Sequence, residues 1–149
     1  MKGLLLITAA CLFLSVPALA MTDEQCTTLW KQADADKDGL LTEAEGDRYM
    51  AMMRIADKPM GADGAINEAM FRENCTEDVF TTALVDEGAP LEGANSFTES
   101  QAQDRAIAAG LSNVSALAKD EKGIWRGTAE RDGKRVNVAV DFKGNVVTQ

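Results

Sequence analysis

Between Asp34 and Glu45 the chain reads DADKDGLLTEAE, and this 12-residue run leaves the backbone little choice. Asp34, Asp36 and Asp38 fall at positions 1, 3 and 5, Gly39 at 6, Leu40 at 7, Thr42 at 9 and Glu45 at 12. Oxygen donors at this spacing suit Ca²⁺, a hard cation that takes about six to eight oxygens at about 2.3 to 2.6 Å, so the chain must curl into a cradle. Each aspartate gives a carboxylate oxygen, and Gly39 permits the turn that aims the Leu40 carbonyl at the ion. Thr42 offers its hydroxyl or holds a bridging water, while Glu45 closes the cradle with both oxygens. Leu41 faces inward from the loop. The competing reading is an acidic surface turn, but the three aspartates, the glycine and the glutamate coincide by chance with a probability on the order of 10⁻⁴.

The flanks continue the pattern. Thr22 and Gln25 form a capping box that starts a helix, with Leu29, Trp30 and Ala33 as its apolar stripe. An exiting helix is predicted through Tyr49, Met50, Met53 and Ile55, ending before Pro59. With Trp30 four residues ahead of Asp34, the segment resembles an EF-hand. Gly46 departs from that family, in which an apolar residue usually follows the glutamate, and this predicts looser packing. The resemblance implies one Ca²⁺ held by Asp34, Asp36, Asp38, Leu40, Thr42 and Glu45. It also implies a partner hand, since the apolar position 8 residues of two loops pair as short strands. Asp63, Gly64, Ile66 and Asn67 fit positions 5, 6, 8 and 9 of a second loop, with Phe71 just after it. Pro59, Gly61 and Met70 at positions 1, 3 and 12 remove its anchoring carboxylates, so this hand is expected to serve as a partner without an ion.

Residues 1–20 read as a signal peptide: a basic start at Lys2, an apolar run from Leu4 to Val16, and small residues at Ala18 and Ala20 for cleavage. The run is too short for a membrane span. Export, periplasmic or secreted, would leave Cys26 and Cys75 as the remaining thiols in an oxidising compartment, and one disulfide between them is the economical expectation.

Composition divides the mature chain. Residues 22–96 carry 17 acidic against 6 basic side chains, and residues 97–149 carry 7 against 8. An EF-hand pair over 21–80, a linker over 81–96 marked by Gly88, Pro90 and Gly93, and a module over 97–149 follow from this shift. In the module, Thr98 and Gln101 start a helix that ends at Gly110. Strands are expected at Val114–Leu117, Ile124–Glu130, Arg135–Phe142 and Val146–Thr148, with turns at Asp132–Gly133 and Lys143–Asn145. Val136, Val138 and Val140 alternate with Asn137, Ala139 and Asp141, predicting a sheet with one buried face. The order of Gly110, Val114, Trp125, Gly133, the valine strand and Asp141–Val146 resembles a PepSY-type module, which implies an exported domain that inhibits peptidases or senses partners. The fold class is therefore α+β, a helical pair followed by a small helix and antiparallel sheet.

Several functions recede. A formal charge of −9 without a concentrated basic surface speaks against nucleic acid. The chain has no histidine, which removes the usual general base, the common nucleophilic triads and histidine-ligated zinc. No enzymatic activity is expected. The cluster Met50, Met52, Met53, Met60 and Met70 admits two readings, core packing or the Met-lined groove of a calcium sensor that grips a partner. Calcium levels outside a cell favour core packing and an ion that is largely structural.

Overall fold

The computed structural model describes residues 20–80, 85–86 and 88–149. All but the last residue of the expected leader therefore lies outside the described residues, as do 81–84 and 87 of the expected linker. The architecture is α+β: among the described residues there are four α-helices and two sheets, with a helical unit leading and a sheet module following.

Helix α1, Asp23–Ala33, opens on the Thr22–Gln25 capping box, whose two reciprocal bonds are both present. Strand β1, Leu40–Leu41, leads into α2, Glu43–Ile55; strand β2, Ile66–Asn67, leads into α3, Glu68–Thr76. β1 and β2 pair antiparallel, with Leu41 opposite Ile66, and both side chains are wholly buried. Beneath them lies an aromatic group centred on Phe71, whose ring is 5.3 Å from Trp30, 4.9 Å from Tyr49 and 4.7 Å from Phe80. The Trp30 and Tyr49 contacts are edge-on and the Phe80 contact is tilted, and ring pairs of these kinds add to the area that the rings bury. Met52 and Met53 are buried in the same core, and Met50, Met60 and Met70 pack partly buried against it. Cys26 and Cys75 are bonded, tying α1 to α3 with Cα atoms 5.8 Å apart across a sequence separation of 49. Loop entropy alone makes such a link worth about 4 kcal/mol.

Gly46 runs against the expectation of loose packing. It is buried in the first turns of α2, and a Cβ there would sit 2.8 Å from the Leu41 carbonyl carbon. Glycine is what lets the helix lie directly on the strand.

The module begins inside the stretch expected as a linker. Strand β3, Val85–Asp86, pairs in parallel with β7, Val146–Thr148, and is the edge of a sheet ordered β3-β7-β6-β5-β4. β4 is Ala118–Lys119, β5 Trp125–Arg131 and β6 Lys134–Val140, all antiparallel to their neighbours. The strand expected at Val114–Leu117 does not form. Ser115 donates its N–H to the Thr128 carbonyl and accepts the Thr128 N–H on its hydroxyl, so a side chain takes a place in the ladder. Gly127 is the reason they approach so closely, since a Cβ there would lie 2.6 Å from Leu117. β6 stops at Val140 because Asp141 turns the chain instead.

Helix α4, Glu99–Ala108, lies between the two units. Ala102 and Ala106 pack on Val138, Val140 and Val146 of the sheet, while Ile107 and Ala108 join the core of the helical unit. Arg54 of α2 donates from Nε to Asp104 of α4 at 2.8 Å, and Arg48 donates to the Ala108 carbonyl at 3.3 Å. The second face of the sheet is not bare as the alternation predicts. Ile124, Ala139 and Val147 form a small buried cluster there, and the 88–96 segment lies against the adjoining end, with Gly93 on the Phe142 ring.

Asp141 anchors that end. Its carboxylate accepts the N–H groups of Leu91, Lys143 and Asn145 and the Asn145 side-chain amide. Burial raises its proton affinity, but these bonds outweigh it and hold the carboxyl below the usual range. A carboxyl depressed in the folded state contributes stability that is complete above the unfolded value of about 3.9 and is lost as pH falls through the folded value. Chemical denaturation from pH 6 down to pH 2 is expected to show this loss below about pH 4, and Asp141→Asn to flatten it while lowering stability throughout. Gly46→Ala is expected to cost about 1 to 3 kcal/mol in the same measurement, the clash with Leu41 exceeding the gain in helix propensity.

Candidate metal centre

Asp34 is the residue at which α1 stops. It is the C-cap, its N–H donates to the Trp30 carbonyl at 2.8 Å, and its ψ of 78° turns the chain out of the helix. Two short bonds then coil the loop: Asp36 Oδ1 accepts the Asp38 N–H at 3.1 Å, and Asp38 Oδ1 accepts the Leu40 N–H at 2.8 Å. Such aspartate-to-backbone bonds are what make this residue a turn former. Lys37 and Gly39 take left-handed backbone at φ 63° and 85°. Glu45, in the first turn of α2, reaches back to accept the Ala35 N–H on Oε2 at 3.0 Å, which closes the run on itself.

Asp34, Asp36, Asp38 and Glu45 thereby each bring a carboxylate oxygen to a common place, all within 4.8 Å of one another. At about 4 Å a pair of like charges repels by about 1 kcal/mol in water and about 4 kcal/mol in a partly protein environment. Asp34 adds a second difficulty. It is only 7% exposed, and its buried Oδ1 has no hydrogen-bond partner. An unsatisfied buried acceptor costs on the order of 1 to 3 kcal/mol, and a charged one more. A cation among the four oxygens would answer both. Two ligands facing each other across an ion at about 2.4 Å are about 4.8 Å apart, so the observed spread suits one ion.

Leu40 stands in β1, and Thr42 is the N-cap of α2 without a side-chain capping bond. The corresponding residue of the second loop behaves differently. Asn67 caps α3 by accepting the Met70 N–H at 2.9 Å. That loop also closes on itself, Gly61 donating to the Ala65 carbonyl at 2.9 Å, and a Cβ on Gly61 would lie 2.9 Å from the same oxygen. Among the described residues no second acidic group of this kind occurs. The spacing of the residues does not reveal the burial of Asp34 or the clasp from Ala35 to Glu45, because both depend on how α1 and α2 pack.

No family model, curated protein or solved structure matches this chain. Among the described residues no helix is long and apolar enough to cross a membrane.

Removal of divalent cations is expected to lower the unfolding temperature, and their return to restore it. At free ion a hundredfold above the dissociation constant the difference corresponds to about 2.7 kcal/mol. Thermal unfolding with chelator and with added cation measures it, and identical transitions would show that the four carboxylates hold no ion.

Proposed function

We propose that the chain is an exported calcium-binding protein in which an EF-hand pair carries one largely structural Ca²⁺ and supports a protein-binding module. The observation that carries this reading is the unpartnered, buried Oδ1 of Asp34 beside three further carboxylates. Asp34, Asp36, Asp38 and Glu45 would supply carboxylate oxygens, Leu40 its carbonyl and Thr42 its hydroxyl or a water. An all-oxygen set with several carboxylates is what a hard cation takes, and the number of donors favours Ca²⁺ over Mg²⁺, which usually retains several waters.

The reading of the ion as structural rests on the methionines. Met52 and Met53 are occupied in the core, so a sensor groove would have to be opened at the expense of packing already made. The disulfide is compatible with an oxidising compartment and supports export. The sheet module, with its resemblance to PepSY domains, is the part we assign to a protein partner, an envelope peptidase among the kinds that the resemblance implies.

Calorimetric titration of the chain with Ca²⁺ is expected to give one saturable event, and Glu45→Gln to remove it. Two tightly bound ions, or unchanged binding in the variant, would refute the assignment. Nuclear magnetic resonance spectra with and without Ca²⁺ are expected to differ around residues 34–45, whereas a reorientation of α2 with exposed methionines would establish a sensor instead.

A further inference from the structure

At the far end of α2 from Glu45, a cavity of about 150 Å³ opens between Met52, Ile55 and Ala56 of that helix end, Val79, Ala108 and Gly144. Its lining is apolar except for one residue, Arg105. The guanidinium carbon of Arg105 lies 4.1 Å from the centre of the Phe97 ring, and one Nη is 2.9 Å from where a Cβ on Gly144 would stand. The group is thus held between an aromatic face and bare backbone. Its Nε is buried and has no hydrogen-bond partner. Arg54, Arg72 and Arg126 pair with Asp104, Asp23 and Asp120, and Arg48, Arg131 and Arg135 donate to a carbonyl or hydroxyl oxygen. Arg105 pairs with no carboxylate among the described residues. Burial pushes its guanidinium down from the usual arginine range, yet a guanidinium stays charged at neutral pH.

A fixed charge beside an apolar hollow specifies the chemistry of what would fill it. One positive charge is balanced by one negative charge, and the planar fork of a guanidinium matches a carboxylate. A hollow of this volume accommodates a molecule about the size of benzene. We propose that this cavity binds a small aliphatic monocarboxylate, its apolar end against Met52, Ile55 and Val79 and its carboxylate on Arg105. The site shares no residue with the candidate metal centre and does not depend on calcium binding.

Isovalerate is a suitable probe and isovaleramide its uncharged match. In titrations of the ¹⁵N-labelled chain, isovalerate is expected to shift the amides of Met52, Ile55, Val79 and Gly144 saturably, and to bind at least about tenfold more tightly than the amide. In Arg105→Met the two ligands are expected to bind equally and weakly, with the remaining spectrum retained. Equal binding of acid and amide to the unaltered chain would overturn the proposal without any variant. So would saturable shifts confined to other residues, or no shifts at all.

Discussion

The rest of the helical unit depends on one pairing of two residues with two. Leu41 and Ile66 sit opposite each other in β1 and β2, wholly buried, and each follows a loop and precedes a helix. An isolated two-stranded ribbon is marginal in water, so this pairing holds because Phe71, Trp30 and Tyr49 pack around its apolar side chains. By fixing Leu41 it fixes where Glu43–Ile55 begins, and hence where the Glu45 carboxylate is presented. Gly46 completes the arrangement, since only a residue without a side chain lets the helix rest on Leu41. Order at the acidic loop is therefore supplied from below by apolar contacts, while its own charges oppose it.

The same economy governs the contact between the two units. α4 has alanine at Ala102, Ala106 and Ala108, and small side chains allow one helix to be shared by two cores. Arg54 and Asp104 cross this junction in a partly shielded place, with Asp104 among the buried polar residues. Desolvation offsets much of the attraction in such a pair, so its net contribution to stability is small.

Much of this arrangement was legible in the residues. Capping boxes at Thr22 and Thr98 marked the starts of α1 and α4, and local rules suffice there because the bonds span three residues. Spacing also brought Asp34, Asp36, Asp38 and Glu45 together, since the turn is built from their own side chains. What the residues did not show arises from distant contacts. The strand expected at Val114–Leu117 yields to the Ser115 hydroxyl, a substitution that pattern alone does not distinguish from an ordinary ladder. Gly46 reads from the sequence as a weakness, and is a close fit because Leu41 lies beside it. The burial of Asp34 and the isolation of Arg105 likewise depend on which elements meet, and no local signal records that.

β3 has a bearing on how the chain divides. Val85–Asp86 precedes α4 yet lies alongside β7, so the sheet is finished by a piece of backbone from before its own helix. A fragment cut at residue 97, where composition changes, would leave one side of β7 with unpaired N–H and C=O groups. An open edge of that kind is a template for another chain. The border drawn by charge and the border drawn by backbone pairing are therefore about a dozen residues apart, and a fragment that respects the first invites self-association at the second.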